Sequence, residues 1–388
     1  MGGQYRLITV YISIEVSMKD GKIDIIIPAY KAQETISRTL SSIAIQTIID
    51  KLEVTIINDA FGDYTDLVKI FSKFFKVREL KLENNVGPGL ARQYGIDHTD
   101  HEYFTCIDAD DTFASAIALE TLLSGIEENE VIKCCSAGFM QLGDDLKHLV
   151  PHQNDMVWMF GKIYRREWIE KYKIHFNDTR ANEDTGYNMW VKLLCDNPME
   201  QVRYIPEIVY FWHNKPDSIT RINDGQYSYD QCFCGWTDNM IYAIQNAKKA
   251  RPFSGQVTQQ IVGVLLNLYY YYIETVARKP IFERQNWEYI KKFYHKCYKR
   301  IEEDITDEVF SQMFSMASME KNQSGTLIGI VPHIGIREFM DKLHTEDYSE
   351  DDIYQIWEDM KQDEETRKLI ENNIKCGVCP EGYTNKPF

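Results

Sequence analysis

Positive charge is scarce in this sequence: its 388 residues hold 43 Lys and Arg against 59 Asp and Glu, a formal net charge of −16. Such a balance opposes non-specific attraction to nucleic acid or to an anionic membrane. An anionic nucleotide meets the same repulsion, so a cation at any nucleotide site makes electrostatic sense. Long apolar runs are missing too. The most lipid-like stretch, Ile261 to Ile273, is too short for a bilayer and contains Asn267 and four tyrosines, so it reads as a buried amphipathic helix and the chain as lacking a transmembrane segment. Met1-Gly2-Gly3 begins neither a secretory signal nor a myristoylation signal, since no basic and apolar regions follow and Arg6 stands where Ser or Thr is needed. The nine cysteines are odd in number and have no framework spacing, which suits a reducing cytoplasm. Cys376 and Cys379 are half a zinc site at most, and Cys232 and Cys234 lack the spacing to complete it. The expected location is cytoplasmic, with a peripheral seat on a membrane surface as the alternative.

What the chain has in quantity is alternation of strand and helix. Leu7 to Val16 alternates apolar and polar residues like an edge strand, and Met18 offers an alternative start. Ile23-Asp24-Ile25-Ile26-Ile27 is a short apolar run of β-branched residues, as a buried parallel strand requires. Ile36, Leu40 and Ile43 share a helix face; Leu52 to Ile57 is a second strand; Leu67, Ile70, Phe71 and Phe74 form the next helix face; Val77 to Leu82 is a third strand. Pro88 opens a helix running to His98, and Tyr103 to Ile107 is the fourth strand. This order implies a parallel sheet covered by helices, with ligands at the carboxyl ends of the strands. Pro28-Ala29-Tyr30, Asn58-Asp59, Asn85 to Gly89 and Asp108 to Asp111 all sit at such ends, so four distant clusters converge on one crevice. Beyond about Tyr227 strand character fades, and Ile261–Val276, Trp287–Tyr298 and Ile353–Lys375 read as helices. Three segments are expected: an extension over 1–22, an α/β domain over 23–225, and a helical C-terminal domain over 226–388 that handles an acceptor or forms a homo-oligomer.

Asp108-Ala109-Asp110-Asp111 is the central motif. Hard cations such as Mg²⁺ and Mn²⁺ take carboxylate oxygens and complete their shells with water and substrate phosphates. Asp108 and Asp110 share a side in an extended segment, while Asp111 reads as a cap for the following helix. An EF-hand is excluded by Thr112 and Phe113. Gly87-Pro88-Gly89 is not a dinucleotide fingerprint, because Arg92 stands where the third small residue belongs; its glycines serve a tight turn or close approach to a ligand. Glu183-Asp184 has two readings: first-turn acids behind an Asn182 cap, or a general base at the mouth of the crevice. His213 is either a hydrogen-bonded loop residue or a metal ligand. Lys162, Arg165 and Arg166 are either a charged face or a phosphate contact.

These residues together resemble the family 2 glycosyltransferases, inverting enzymes of the GT-A fold. The likeness rests on Asp24 to Tyr30, Ile56 to Asp59, Asn85 to Arg92, Asp108 to Asp111, Gly161 to Glu167, Asn182 to Thr185, Tyr210 to His213 and Ser218-Ile219-Thr220, in family order between about residues 23 and 222. It implies an α/β fold with a Rossmann-like, mostly parallel sheet flanked by helices, and an enzyme using a UDP- or GDP-type sugar with Mn²⁺ or Mg²⁺. Pro28, Tyr30 and Asp59 would line the nucleotide pocket, with Asp59 accepting from the base. Ala29, Glu34, Asn85, Gly87, Arg92 and Ala109 would join them in holding the donor. Asp108 would face ribose or metal, Asp110 would ligate the cation, and His213 is a further candidate ligand. Asp184 would be the general base, supported by Glu183. The acceptor hydroxyl is open among glycan, polymer, protein and modified nucleic acid. In place of the family's frequent Gly-Ser pair this chain reads Ala60-Phe61-Gly62, which bears on the choice of base. The rivals are a sugar-phosphate nucleotidyltransferase, which would need a glycine-rich loop after the first strand, and a silent nucleotide-binding or scaffold protein.

Overall fold

A computed structural model of the chain describes residues 21–143, 147–213, 234–252, 255–277, 287–309, 311 and 336–362. The edge strand expected at Leu7–Val16, the Met18 start, Ser218-Ile219-Thr220 and the Cys376/Cys379 pair lie outside these residues.

The first half alternates as its apolar pattern dictates. Strand β1 (Ile23–Ala29) leads to helix α1 (Ile36–Ala44), then β2 (Leu52–Asn58), α2 (Thr65–Phe71), β3 (Lys76–Lys81), α3 (Pro88–Asp97) and β4 (Tyr103–Cys106). The short β5 (Thr112–Phe113) precedes α4 (Ala118–Glu127), β6 (Cys134–Leu142), β7 (Leu149–His152), β8 (Lys162–Arg165), α5 (Arg166–Lys171), α6 (Glu183–Leu194), α7 (Pro198–Gln201) and the long β9 (Val202–Trp212). Helices α8 (Cys234–Ala250), α9 (Gly255–Ala277), α10 (Trp287–Ile301), α11 (Ile336–Thr345) and α12 (Glu350–Gln362) complete the described chain.

The nine strands form one sheet in the order β3-β2-β1-β4-β8-β6-β9-β5, with β7 beside β6. The expected parallel pattern holds for β1 to β4. The other half is mixed: β8 runs antiparallel to β4 and β6, while β6 and β9 are parallel. Both faces of β1 are covered, so it reads as a continuous apolar run. Ile23, Ile25 and Ile27 pack with α1, α2 and α4, while Ile26 packs on the opposite side with Phe104 and the residues of α3, α5 and α6. Each such side chain contributes roughly 1.5–3 kcal/mol by leaving water.

That second core continues outward. Tyr187, Trp190 and Val191 of α6 share one buried cluster with Ile241 and Ile244 of α8, Leu265 and Leu268 of α9, Tyr294 of α10, Phe339 of α11 and Ile353 of α12. The C-terminal helices thus pack onto the α/β domain rather than around a separate core. The Ile261–Ile273 run lies within α9, where Ile261, Val262, Val264, Leu265 and Leu268 are buried. Among the described residues no helix is long and apolar enough to cross a membrane. Two expectations need correction. α2 ends at Phe71, and Ile70 and Phe74 are exposed, because of that set Phe71 turns into the core and Leu67 packs at its edge.

Candidate active site

Strand order reverses at β1, whose neighbours are β2 on one side and β4 on the other. Ligands of open α/β sheets bind at such a switch point, beyond the carboxyl ends of the strands. Three of the expected clusters end β1, β2 and β4, and the fourth is the turn from β3 into α3.

Asp59 organises that turn. It is buried; its Oδ1 accepts from the Val86 amide at 2.7 Å, and its Oδ2 accepts from the Gly87 amide at 3.0 Å and from Asn85 Nδ2 at 2.8 Å. Both oxygens are engaged by protein, which makes Asp59 the anchor of the loop, and Oδ1, with a single donor, keeps a lone pair for a further one. Arg180 closes the loop from outside, donating to Asn85 Oδ1 at 2.6 Å and to the Asn85 carbonyl at 3.2 Å. Nothing local in the sequence marked Arg180 for this place.

Arg92, in the second turn of α3, joins two carboxylates. Its Nη2 donates to Asp108 Oδ1 at 2.5 Å and its Nη1 to Glu183 Oε1 at 2.7 Å. The guanidinium is buried, and burial works against its charge, but Asp108 and Glu183 outweigh that and hold it protonated. Arg92, expected among the donor-holding residues, spends both its Nη groups on these carboxylates. Gly89 makes the approach possible, since a Cβ there would lie 2.6 Å from Glu183 Cγ. The glycines of this turn admit protein groups, and Gly87 takes a φ of 88°.

Glu183 and Asp184 open α6. Asn182 precedes them in the left-handed region with φ 58° and makes no side-chain capping bond, so the purely capping reading fails for Asn182. Glu183 is buried against Arg92, whereas Asp184 is half-buried. Burial, followed by the negative charge of Glu183, pushes the Asp184 carboxyl up to about 7, against the opposing pull of Arg92. A carboxylate tuned to that range is suited to proton transfer near neutrality.

Asp111 does not cap the next helix, which begins only at Ala118. It is buried and accepts from Tyr210 Oη at 2.6 Å and from the His213 amide at 2.8 Å, tying the end of β9 to the end of β4. Tyr210 Oη also accepts from the Asp108 amide at 3.3 Å. Burial, then Asp110 and Asp108, raises the Asp111 carboxyl well above the usual carboxylate range. Tyr210 is thus a positioning residue beneath the acidic turn. Across the turn, Arg38 of α1 donates to the Asp110 carbonyl at 2.6 Å.

His213 lies 3.0 Å from Thr112 Oγ1 through Nε2, and burial together with Arg38 lowers its pKa to about 4, leaving it neutral. Among the described residues no three His, Cys, Asp or Glu side chains gather into a metal cage. The expected trio of Asp108, Asp110 and His213 is therefore not assembled, because His213 turns to Thr112. Carboxylates such as those at this strand end are the donor type a hard divalent cation takes, with ligand phosphates completing the shell.

Lys162, Arg165 and Arg166 are neither a charged face nor a phosphate contact. All three are buried: Lys162 pairs with Asp155 at 2.7 Å, Arg165 with Glu102 at 3.3 Å and Arg166 with Asp24 at 2.9 Å. Pro28 and Ala29 end β1 and Ala109 is buried in the acidic turn. Glu34 is exposed ahead of α1. Tyr30 projects at the rim with Phe61 beside it, their ring centroids 5.7 Å apart.

Sheet order, switch point and carboxylate placement together define a GT-A type α/β domain with a helical C-terminal region. Residues 24–182 match the model of glycosyl transferase family 2. The chain is 26% identical over 261 residues to the glycosyltransferase GlyA of Streptococcus pneumoniae, covering 60% of this chain and 34% of that protein. To the uncharacterized glycosyltransferase YibD of Escherichia coli it is 23% identical, over 52% of this chain and 64% of that one. The chain thus spans between a third and two thirds of these relatives. The crystal structure of S. aureus TarS 1-349 in complex with UDP-GlcNAc superposes with a TM-score of 0.66 at 15% identity, covering 88% of this chain and 92% of that one, which shows a shared fold.

Proposed function

We propose that this protein transfers a sugar from a nucleotide diphosphate donor to an acceptor hydroxyl with inversion at the anomeric carbon, Asp184 acting as general base. The observation that carries this reading is the buried bridge in which Arg92 joins Asp108 at the end of β4 to Glu183, the immediate neighbour of Asp184 at the start of α6, and burial with Glu183 raises the Asp184 carboxyl to about 7. Base and donor turn are thereby held by one buried guanidinium.

In this reading Asp184 takes the proton of the acceptor hydroxyl as its oxygen attacks the anomeric carbon and the bond to the diphosphate breaks. One displacement inverts the centre. Glu183 keeps the base's proton affinity high, and Arg92 fixes Glu183. Asp110, with Asp108, would hold Mn²⁺ or Mg²⁺, whose chemistry is to neutralise charge on the departing diphosphate. The Asn85–Gly87 loop, braced by Asp59 and Arg180, forms the wall beside the donor. UDP-GlcNAc, the donor seen on TarS, is the first to test.

Incubation with UDP- and GDP-sugars, Mn²⁺ and a panel of glycan, polymer and protein acceptors tests the proposal. Transfer with an inverted anomeric centre is expected, and Asp184→Asn should lower the rate by about 10²–10⁴-fold while donor binding persists. Full activity in that variant would sink the assignment of the base.

A further inference from the structure

We infer that Ile70 and Phe74, with Lys69, Lys73 and Lys76 beside them, form a seat for an anionic lipid bilayer. The seat is separate from the crevice and independent of the reaction proposed for it.

The stretch from Lys69 to Lys81 runs against the charge of the chain. It holds five cations, Lys69, Lys73, Lys76, Arg78 and Lys81, and one acid, Glu79, in a chain whose net charge is −16. The four lysines are exposed, whereas Arg78 donates to the His98 carbonyl and to Thr55 Oγ1. Glu79 is drawn inward, accepting from buried Asn58 at 2.6 Å. Charges are screened over about 8 Å at physiological salt, so an approaching surface meets this local excess rather than the total.

Two apolar side chains stand out of the same stretch. Phe71 and Phe75 face the sheet and are buried, their ring centroids 5.9 Å apart. Ile70 and Phe74, also one turn apart, are left 50% and 61% exposed, and Phe74 is the most exposed aromatic among the described residues. The Phe74 and Phe75 amides donate to the Phe71 carbonyl at 2.9 and 3.2 Å, which fixes the turn that holds Phe74 outward. Neither Ile70 nor Phe74 has a polar tip, so both forfeit burial with no return from water.

Apolar tips flanked by lysines a turn apart match the boundary between headgroups and acyl chains: the tips enter, and the ammonium groups stay with the lipid phosphates. Other partners fit less well. A nucleic acid or a protein hot spot draws on arginine, tryptophan and tyrosine, and the planar donor here, Arg78, is already engaged. Lysine is a point charge on a flexible stem, suited to a diffuse sheet of anions.

The position suits a docked enzyme. Lys76 stands level with Glu53 near the start of β2, and β1 to β4 are parallel, so the patch lies at the amino ends of the strands. The acidic turn follows the carboxyl end of β4. A chain seated on Ile70 and Phe74 therefore keeps its crevice clear of the bilayer.

Co-sedimentation of the full chain with vesicles tests this. The vesicles are phosphatidylcholine alone, or two parts phosphatidylcholine to one part phosphatidylglycerol, at low and high salt. Binding is expected to the mixed vesicles only and should weaken as salt rises. Phe74→Ser should lower the partition constant about tenfold or more, the loss for one phenyl ring that no longer leaves water, and Phe74→Leu should restore it. Lys73→Gln should lower it about fivefold, as for one lysine near an anionic surface. Both positions are exposed, so urea midpoints and transfer to a soluble acceptor should not change. The seat is refuted if the wild type fails to sediment with mixed vesicles at low salt, or if Phe74→Ser sediments as the wild type does. Binding of a single-stranded oligonucleotide that both variants lose, without vesicle binding, would assign the patch to nucleic acid instead.

Discussion

Asp108 and Glu183, on different elements of the fold, are held by the same guanidinium: Arg92 donates to the first at 2.5 Å and to the second at 2.7 Å. One arginine can do this because its planar fork presents several donors at fixed angles, whereas a lysine is a point charge. The bridge explains how the acids that open α6 and the acidic turn after β4 keep their spacing although their elements share no backbone ladder.

Arg92→Ala should therefore destabilise the fold by about 3–5 kcal/mol, because Glu183 is left as a buried, uncompensated charge. Arg92→Lys should recover part of the stability and little activity, since one ammonium does not reproduce both contacts. Urea midpoints and kcat measured together on the two variants separate these effects. Equal activity in the lysine variant would argue that the bridge has no positioning role.

The acidity of Asp184 sets a pH limb. Its carboxyl titrates near 7 in the folded chain, so transfer should rise with pH through about 7 as the base loses its proton. Glu183→Gln removes a negative neighbour and frees Arg92 to act more strongly on Asp184; both effects lower the pKa, and the limb should move to lower pH. Stability runs the other way. A raised acid pKa means the folded state keeps a proton that the unfolded chain has released, so this contribution is present at low pH and fades as pH climbs from about 4 towards 7. Asp184→Asn should flatten that dependence in denaturant titrations at stepped pH.

Much of this arrangement was legible in the sequence, and the limits have physical causes. β1, β2 and β4 were readable because strands buried on both faces are runs of β-branched and aromatic residues, and the polar clusters followed where those runs stop. The destination of a charge was not readable. Arg92 lies in a loop-and-helix motif that suggested a donor contact, yet its partners are 16 and 91 residues away and no local pattern names them. The loop-anchoring part of Asp59 was not readable, because its three donors come from a turn 26 to 28 residues downstream. Lys162, Arg165 and Arg166 looked like a basic surface because their carboxylate partners Asp155, Glu102 and Asp24 are separate in sequence. The apolar flank of Val157 to Tyr164 was the available hint that Lys162 sits inside.

Those buried pairs give a contrast between structure and site. Arg166 donates to Asp24 at 2.9 Å and to the carbonyls of His101 and Ile96 at 2.7 and 2.8 Å. Arg166→Met should lower stability by about 3–5 kcal/mol through the stranded Asp24 charge, with the donor KM unchanged in whatever folds at low temperature. A raised KM at unchanged stability would reinstate a phosphate contact.

Asp59 should behave in the opposite manner. Its carboxylate accepts three hydrogen bonds from the Asn85–Gly87 turn, and bonds to a charged group contribute about 1.5–3 kcal/mol each. Asp59→Asn keeps the volume but places an amide where an acceptor is needed, so at least one of those donors loses its partner. The turn, which the proposed function sets beside the donor, then loosens. The expected signature is a donor KM raised about tenfold or more together with a stability loss of about 2–4 kcal/mol, and a kcat that falls less than KM rises. Arg180→Ala removes only the outer brace on Asn85 and should show the same KM effect with little change in the urea midpoint. If Asp59→Asn left KM untouched and lowered kcat alone, the loop would have no part in holding the donor, and Asp59 would have to be assigned to the chemistry instead.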